Sequence, residues 1–449
     1  MISNVDLIVI GTGSAAQTVA YTCCEAGWSV AVIDSRPFGG TCQLRGCDPK
    51  KVLVGVSELV DWSHRMQAKG VSADLSINWS DLIQFKRTFT DPAPEQNERS
   101  FAEAGILTRH GRAHFSDRTT VEVGGDTLVG RYVVIAGGAR RASLAISGDD
   151  ELTTSTQFLE LDRLPRRITF VGGGYIAFEF AHIAARAGAQ VRVLHRGKRP
   201  LPAFDPDLVG MLVEATTELG VEVVLNTEVV AIERQADRLF VRARTATQEQ
   251  TFETDMAVHA AGRVPEIDDL ALEVAGVART TAGVTVNGYL QSVSNPMVYA
   301  AGDAVASGGF PLTPVAGMQG GVVASNLLEG NHRTPSYAGI PSVVYTTPPL
   351  ARVGLSEESA HEQGRRFAVH KGDTSDWYTS RRVGLRHTGF KTLVEEGTGR
   401  ILGAHLLSPH AEEVINLFGL AIRTGLKADD LTDMVYAYPT GASDLGSML

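Results

Sequence analysis

Two cysteines, Cys42 and Cys47, lie five residues apart in a glycine-rich segment near the amino terminus. Five residues of regular helix would separate their Cα atoms by about 7.5 Å, whereas a disulfide needs about 4.4–6.8 Å. The segment is therefore predicted to be distorted, at a cost that Gly46 reduces. Pro49 suits the first turn of a helix, where a thiol has a lowered pKa that favours the nucleophilic thiolate. For a protein expected to be cytoplasmic, this pair is interpreted as redox-active; a structural disulfide or two buried thiols is the alternative.

The other cysteines and the overall composition narrow the range of functions. Cys23 and Cys24 are adjacent in a predicted helix and are interpreted as small buried apolar residues. Four cysteines in 449 residues do not suggest a secreted disulfide framework. The first residues show neither a basic leader nor a long apolar span, so we expect a cytoplasmic protein without a membrane partner. The net charge of −10 argues against nucleic acid, and no structural metal is expected.

A glycine-rich turn occurs twice, at an offset of 161 residues from Gly11 to Gly172. Each turn follows an apolar strand, over residues 5–10 and 168–171, and opens a predicted helix. In such a turn the first glycine makes the bend, the second lets the backbone reach a pyrophosphate, and the small third residue packs the helix on the strand. Two copies in register predict two dinucleotide sites. Their expected contact residues are Gly11, Gly13, Ser14 and Ala16 in the first copy, and Gly172, Gly174, Tyr175 and Ile176 in the second.

The two copies have different residues at the position after the second strand, and this difference predicts which nucleotide each copy binds. The first copy has Asp34, a carboxylate placed to hydrogen-bond a ribose hydroxyl. The second copy has His195 at that position, followed by Arg196, Lys198 and Arg199, whose charges would attract a 2′-phosphate. We therefore expect FAD at the first copy and NADPH at the second, with NADH less suited. A solvated basic turn is the alternative interpretation.

These elements predict an α/β protein with two Rossmann-like dinucleotide-binding domains, for FAD and NAD(P), and a C-terminal α+β unit. In the C-terminal unit, residues 389–394 and 401–407 are predicted to be neighbouring strands, and residues 412–423 have the apolar spacing of a helix. A length of 449 residues suits about three domains. The expected domains are residues 1–150 (FAD-binding, first part), 151–268 (NAD(P)-binding), 269–338 (FAD-binding or central, second part) and 339–449 (C-terminal).

Two further motifs complete a resemblance to the flavoprotein disulfide reductases, which include glutathione reductase, lipoamide dehydrogenase and mercuric reductase. Residues 39–51 look like the redox motif of that family, and residues 300–304 resemble its second FAD motif. The likeness covers essentially the whole chain and implies a homodimer held by the C-terminal unit. It implies that Cys42 is the interchange thiol facing the acceptor and Cys47 the charge-transfer thiol against the flavin. The implied reaction passes electrons from NADPH through FAD to this pair and on to an acceptor.

The resemblance also assigns roles to residues around the expected flavin. Lys51 falls where the family has a lysine near flavin N5, and Glu179 falls where the ion-pair partner of that lysine lies. Tyr175 resembles an aromatic residue that covers the flavin until the nicotinamide enters. Asp303 is expected to hold the ribityl chain or the pyrophosphate. The other expected cofactor-binding residues are Gly40, Thr41, Gly137, Gly262 and Arg263.

The carboxyl-terminal tail departs from the pattern of the disulfide-reducing members. Those proteins carry a His-Pro-Thr-x-x-Glu tail, whose histidine comes from the partner subunit and acts as acid and base for the interchange thiol. Here Tyr438 occupies the histidine position and Ser443 the glutamate position. Tyrosine as a residue type has a pKa of about 10, against about 6.5 for histidine, and is a poor base at neutral pH. His405, His410 and Asp444 are alternative bases that the sequence does not place near the thiol.

Mercuric reductases also have a tyrosine at this position, where it serves a soft-metal site with the cysteines. Thiolates suit soft ions, and reduction of a bound metal needs no histidine. We therefore expect Hg²⁺, or a similar non-disulfide acceptor, at Cys42 and Cys47. The C-terminal cysteine pair and N-terminal metal-binding domain of those enzymes are not found in this sequence, and Tyr438 packing at a dimer interface is an alternative. The other hypotheses are a disulfide reductase of the lipoamide dehydrogenase or glutathione reductase type, and a non-catalytic, complex-bound FAD subunit.

Overall fold

The computed structural model describes residues 2–72 and 74–449 and contains two compact units. Its mixed α/β composition confirms the predicted fold class. Each unit is assembled from three separate stretches of the chain. Unit 1 comprises Met1–Lys50, Phe85–Ala142 and Arg263–Tyr337, and unit 2 comprises Lys51–Gln84, Ser143–Gly262 and Ala338–Leu449.

Unit 1 is built on a seven-stranded sheet whose central strands are parallel. The first strand, Ile2–Ile10, pairs in parallel with Val30–Asp34 on one side and Asp126–Ile135 on the other. Its apolar residues from Leu7 onward are buried, as expected for a parallel strand covered on both faces. The helix Ser14–Glu25 follows this strand directly, so the glycine turn between them lies at the carboxyl edge of the sheet, where ligands bind in such folds.

Unit 1 also contains helices, 3₁₀ turns and several short strands. Two helices, Cys47–Arg65 and Trp79–Thr90, contain residues of both units. The other helices are Ser14–Glu25, Gly40–Arg45, Ala93–Glu103 and Thr313–Glu329, with 3₁₀ turns at Asp268–Leu270 and Gly302–Ala304. The strands are Ile2–Ile10, Val30–Asp34, Leu107–His110, His114–Phe115, Thr120–Val123, Asp126–Ile135, Ala139–Arg141, Arg263–Pro265, Arg279–Thr280, Gly283–Val284 and Val298–Ala300.

Unit 2 repeats the strand–turn–helix arrangement in a four-stranded parallel sheet. Strand Arg167–Val171 leads through the second glycine turn into helix Tyr175–Arg186, which returns to strand Gln190–Leu194. In both units the helix begins one residue after the second glycine of its turn, Gly13 or Gly174. The predicted repeat of two strand–turn–helix–strand segments is therefore confirmed.

The C-terminal part of unit 2 is an antiparallel sheet of five strands covered by a helix. The predicted strands are found at Gly389–Glu395 and Ile401–Leu407, and they pair antiparallel as neighbours. The predicted helix extends over Ala411–Thr424 and packs on this sheet. The sequence did not predict the edge strand Phe367–Asp373, because its side chains are mostly exposed and lack a buried apolar alternation.

The other elements of unit 2 include the further strands of these two sheets and a three-stranded antiparallel sheet, Glu228–Gln235, Arg238–Arg244 and Glu249–Thr254. Among the described residues, no helix combines the length and apolar character that crossing a bilayer requires. The other helices are Ser155–Phe158, Pro206–Glu218, Glu357–Glu362, Tyr378–Arg382 and Ala428–Thr432, with 3₁₀ turns at Asp149–Glu151 and Gly441–Ser447. The other strands are Glu222–Val224, Glu228–Gln235, Arg238–Arg244, Glu249–Thr254, Met256–His259, Ser342–Val344 and Leu350–Gly354.

Candidate active site

The predicted redox pair lies at a break between two helices. Cys42 is in the helix Gly40–Arg45, and the next helix, Cys47–Arg65, begins at the second cysteine; we call this second helix the redox helix. The break occurs at Gly46, where a Cβ atom would lie 2.8 Å from the Thr41 carbonyl oxygen. The predicted distortion of this segment is confirmed, and both cysteines are unbridged thiols in this structure.

The two thiols of the pair have opposite pKa shifts. A hydrogen bond with Cys42, a second one with Thr313 and the positive charge of Lys50 lower the pKa of Cys47 to about 6. The Thr313 hydroxyl oxygen lies 3.4 Å from the Cys47 sulfur. The hydrogen bond with Cys47, together with burial, raises the pKa of Cys42. The expectation of a favoured thiolate therefore holds for Cys47 but is wrong for Cys42, because the two sulfurs share one proton in the reduced pair.

The remaining two cysteines have a different environment. Cys23 is fully buried in unit 1, and burial raises its pKa to about 12. Cys24 donates its thiol hydrogen to the Ala104 carbonyl oxygen at 3.1 Å. The interpretation as a buried apolar residue of the first helix therefore holds for Cys23, whereas Cys24 is only half-buried.

Three residues around the redox pair were not singled out by the sequence. The Cys42 thiol donates to Asp48 Oδ1 at a sulfur–oxygen distance of 3.6 Å, and Asp48 is exposed in the first turn of the redox helix. Lys50 and Thr313 act on Cys47, as described above. The charges beside the cysteines were a usable signal for Asp48 and Lys50. No local signal indicates Thr313, which is 266 residues from Cys47 in the chain.

The first glycine turn fits the pyrophosphate of a dinucleotide. A Cβ at Gly11, whose φ is +114°, would lie 2.3 Å from the Ala136 carbonyl oxygen, and one at Gly40 would lie 2.5 Å from Gly13 Cα. The segment that begins at Gly40 and carries Cys42 therefore packs directly on the glycine turn that contains Gly13. The helix Ser14–Glu25 has neither a side-chain cap nor an acidic residue in its first turn, so its positive end suits a phosphate.

The expected ribose-binding carboxylate, Asp34, is held in a fixed orientation. Its Oδ2 accepts hydrogen bonds from the Thr12 backbone N–H at 3.1 Å and from the Thr12 hydroxyl at 2.7 Å. Its Oδ1 accepts from the Arg36 backbone N–H at 3.0 Å. Each carboxylate oxygen retains acceptor capacity beyond these bonds, so the arrangement fits a ribose hydroxyl as a further donor.

The other expected FAD residues of unit 1 lie near the ends of its strands. Asp303 is in a 3₁₀ turn that follows strand Val298–Ala300, and burial raises its pKa, an effect that the nearby Arg263 opposes. Arg263 donates to the Ala139 carbonyl oxygen. Gly262, which belongs to unit 2, has a φ of +111°, and Ala16 of unit 1 is fully buried. A Cβ at Gly137 would lie 3.3 Å from the Glu266 carbonyl oxygen, so the chain passes close to that position.

The second glycine turn has the same construction. A Cβ at Gly172, whose φ is +118°, would lie 2.3 Å from the Ala260 carbonyl oxygen, whereas Gly174 has ordinary space, with that oxygen 3.7 Å away. The helix Tyr175–Arg186, which also contains Ile176, again begins without a side-chain cap or an acidic first turn. The turn therefore fits a second pyrophosphate.

The basic turn after strand Gln190–Leu194 is anchored by His195. The Nε2 atom of His195 lies 3.0 Å from the Arg199 carbonyl oxygen, and burial lowers the pKa of His195. The ring of His195 is therefore partly buried and holds the turn together, and its contact with a bound nucleotide stays a prediction. Arg199 donates to the Pro202 carbonyl oxygen at 3.3 Å. Arg196 and Lys198 are the exposed cations of the turn.

Lys51 and Glu179 both contact Tyr345 in unit 2. Lys51 Nζ lies 4.5 Å from the centroid of the Tyr345 ring and 3.6 Å from Glu58 Oε1. Glu179 is fully buried, and its Oε1 accepts a hydrogen bond from the Tyr345 backbone N–H at 2.9 Å. Tyr175, one helical turn before Glu179, is 46% exposed. An ion pair between Lys51 and Glu179 stays a prediction, and Glu58 is the carboxylate that the structure places beside Lys51.

The tail presents Tyr438 to solvent. Its side chain is 80% exposed, and Val435 close to it in the chain is 92% exposed. Ser443, at the position of the family's glutamate, is bonded locally: its hydroxyl donates to the Thr440 carbonyl oxygen at 2.6 Å. Tyr438 is therefore available for contact, whereas Ser443 serves the 3₁₀ turn of the tail.

Two of the alternative bases form hydrogen bonds within unit 2. His405 is buried, and its Nε2 lies 3.1 Å from the Leu355 carbonyl oxygen. Asp444 accepts a hydrogen bond from the Thr379 hydroxyl at 2.6 Å. His410 has a left-handed backbone conformation and directly precedes the helix Ala411–Thr424. That any of these three residues acts as a base for Cys42 stays a prediction.

Comparison with protein families gives two matches that together cover nearly the whole chain. Residues 5–320 match the family described as Pyridine nucleotide-disulphide oxidoreductase. Residues 340–448 match the dimerisation domain of the same name.

Curated relatives and solved structures give full-length matches. The chain is 32% identical to mercuric reductase of Staphylococcus aureus over 449 residues, 98% of this chain and 81% of the relative. It is 31% identical to glutathione reductase of Burkholderia cepacia over 441 residues, 98% of this chain and 97% of the relative. The Cu(II) complex of the HOCl-induced flavoprotein disulfide reductase RclA from Escherichia coli superposes with a TM-score of 0.88 and 28% identity, covering 99% of both chains.

Proposed function

This chain belongs to the pyridine nucleotide-disulphide oxidoreductases, flavoproteins that use FAD and NAD(P)H, and we propose that it reduces a soft metal ion with electrons from NADPH. The proposed acceptor is Hg²⁺ or a similar ion bound at Cys42 and Cys47. In the overall reaction NADPH loses two electrons, Hg²⁺ becomes Hg⁰, and one proton is released. The observation that carries this choice of acceptor is the exposed phenol of Tyr438, where disulfide-reducing members have a histidine.

Different residues of the chain are proposed to bind FAD, to bind NADPH and to hold the charge of the reduced cysteine pair. FAD, when bound, supplies two-electron transfer between a nicotinamide and a disulfide. The helix start after Gly13 is proposed to bind the pyrophosphate of FAD, and Asp34 its ribose, while the helix start after Gly174 binds that of NADPH. At neutral pH the reduced pair carries its negative charge on Cys47, whose pKa is about 6, and its proton on Cys42.

The reduced pair suits a soft metal better than a hard one. Sulfur ligands select soft ions, and metal binding displaces the proton of a thiol. Among the described residues, no group of three or more histidine, cysteine, aspartate or glutamate side chains is arranged to hold a metal. The two sulfurs of Cys42 and Cys47 therefore favour an ion that is stable with few ligands, and with soft ones. The names of a relative, mercuric reductase, and of a structural neighbour, a Cu(II) complex, support such an acceptor.

The test of this function is NADPH oxidation by the FAD-loaded protein with Hg²⁺ in excess low-molecular-weight thiol. Saturable oxidation with release of Hg⁰ is expected, and Cu²⁺ in a parallel assay examines a second thiophilic ion. Absence of turnover with both ions, together with turnover of a disulfide, would contradict the proposed acceptor.

A disulfide reductase is the second candidate, supported by the 31% identity to glutathione reductase. It predicts that Tyr438→His, which restores an acid–base group, raises turnover of glutathione disulfide about tenfold or more, because general acid–base catalysis contributes at least this much. The measurement is kcat/KM for glutathione disulfide. Tyr378→His, at another exposed tyrosine (55% exposed), is the matched control. Equal rates for parent and Tyr438→His would count against this candidate.

NADPH preference is proposed to depend on Arg196. Its charge is exposed, and neither Arg196 nor Lys198 has an ion-pair partner among the described residues, so both are available to a 2′-phosphate. Arg196→Ala is expected to raise KM for NADPH about tenfold and to change KM for NADH less than about twofold. Arg192→Ala is the control, because Arg192 pairs with Glu222 at 2.7 Å. An equal effect on both nucleotides would refute the assignment.

We also propose that the protein acts as a homodimer. Residues 340–448 match a dimerisation domain, and the tail within this region exposes Met434, Val435 and Tyr438. Large exposed apolar side chains on a structured tail are typical of contact surfaces. In this arrangement Tyr438 would reach the acceptor site of the partner subunit.

A further inference from the structure

Asp48 is a charged residue at the redox pair that the proposed function does not use. Its Oδ1 atom lies 3.6 Å from the sulfur of Cys42, and it is exposed. Cys42 lies in the helix before the break at Gly46, and Asp48 lies in the first turn of the redox helix after it. A carboxylate therefore lies beside the thiol that is proposed to meet the acceptor.

We propose that Asp48 is a specificity-determining residue, whose carboxylate favours cationic acceptors and disfavours anionic ones at Cys42. The inference rests on the proposed function only in taking Cys42 as the thiol that faces the acceptor. A unit charge a few ångströms from a reacting sulfur changes the local concentration of charged reactants, in a direction set by the sign of their charge. A metal cation is attracted to this sulfur, whereas a disulfide that carries carboxylates, such as glutathione disulfide, is repelled.

Two cations close to Asp48 in the chain, Lys50 and Arg45, interact with other groups. Lys50 acts on Cys47, whose pKa it lowers. The guanidinium of Arg45 is half-buried and lies near the charges of Asp34, Arg36, Arg263 and Glu266. Apart from the Cys47 thiolate, Asp48 is the charged side chain in hydrogen-bond contact with the Cys42 sulfur among the described residues.

Asp48 could also serve only to stabilise the helix in which it lies, and the test must distinguish this structural role from the proposed effect on acceptor specificity. An acidic residue in the first turn of a helix stabilises the helix dipole, and Asp48 is in the first turn of the redox helix. A purely structural role predicts that Asp48→Asn changes thermal unfolding but not the electrostatic preference at Cys42.

The experiment measures alkylation of Cys42 by neutral iodoacetamide and by anionic iodoacetate, in the reduced, FAD-loaded protein. Mass spectrometry assigns the modified cysteine. Both reagents react with the same thiolate, so the ratio of their rates reports the local charge and cancels the ionisation of the thiol. Asp48→Asn is expected to lower the ratio of the iodoacetamide rate to the iodoacetate rate about fivefold, with a smaller difference at high salt. Asp48→Glu should keep the ratio of the parent.

The matched control is Asp81→Asn, which removes one charge from the first turn of another helix. A ratio unchanged by Asp48→Asn, or lowered equally by Asp81→Asn, would overturn the proposal. Asp48→Ser provides a second variant if the asparagine variant does not fold, because serine is well accepted near helix starts. This assay contains no acceptor. Failure of Hg²⁺ reduction with an altered alkylation ratio would reject the metal acceptor and retain the role of Asp48.

Discussion

Cys42→Ser is expected to lower NADPH-dependent reduction of Hg²⁺ by about 10³-fold or more, the scale of losses when a reacting nucleophile is removed. A serine hydroxyl is a hard ligand that does not bind soft ions well, and it cannot form a disulfide with Cys47. The side chains have similar shape, and the hydroxyl can still hydrogen-bond to Asp48, so the helix break at Gly46 should persist. The measurement is the steady-state rate of NADPH oxidation with Hg²⁺ in excess thiol.

Cys24→Ser is the matched control for this loss. Cys24 makes its hydrogen bond to the Ala104 carbonyl oxygen, which a serine hydroxyl can also make. This variant should retain the rate of the parent, the same flavin content and the same thermal unfolding. If Cys42→Ser kept more than about a tenth of the parent rate, the acceptor would take its electrons without the interchange thiol, and the proposed role of Cys42 would be wrong.

Gly13→Ala is expected to give a folded protein that binds FAD about 100-fold more weakly or not at all. The φ of Gly13 is −76°, which suits alanine, and the nearest heavy atom to an added Cβ is Gly40 Cα at 3.9 Å. Stability of the protein without cofactor should therefore change by less than about 0.5 kcal/mol. The added methyl would occupy the space through which the backbone approaches a pyrophosphate. Flavin content per chain and thermal unfolding of the apoprotein measure the two effects separately.

Two other glycines provide contrasts for this result. Gly210 is exposed with no atom within 4 Å of an added Cβ, so Gly210→Ala should keep both the flavin and the fold. Gly11 has a φ of +114° and a backbone oxygen 2.3 Å from an added Cβ. Gly11→Ala should therefore destabilise the fold itself, by about 2 kcal/mol or more. Full flavin content in Gly13→Ala would show that FAD is not held at this turn.

The dinucleotide-binding segments could be predicted because their signals are local. Apolar strand runs, glycine turns and helix periodicity are each contained within about 30 residues, and the helices begin after Gly13 and Gly174 as the turn chemistry requires. The same holds for the paired strands near the carboxyl terminus. The edge strand Phe367–Asp373 was missed because its pairing with a neighbour, rather than its own pattern, makes it a strand.

The contacts of His195 in the basic turn and of Lys51 on the redox helix could not be predicted from local sequence patterns. The sequence does not decide whether the ring of His195 faces a nucleotide, because its hydrogen bond to the Arg199 carbonyl group follows from the path of the turn. Lys51 lies beside Glu58 and Tyr345, and the latter is almost 300 residues away in the chain. Long side chains can adopt many rotamers, so their partners depend on what the fold brings near them.

The sequence by itself determined the type of chemistry: two nucleotide turns, and two cysteines whose spacing requires a break in the helix. The tertiary structure decided how charge is distributed over that pair. Cys47 is the thiolate because Cys42, Lys50 and Thr313 stabilise its charge, and Cys42 keeps its proton because Cys47 and burial raise its pKa. Electrostatic effects depend on distances of a few ångströms between atoms, and those distances are set by contacts such as that between Thr313 and Cys47, which no local pattern in the sequence contains.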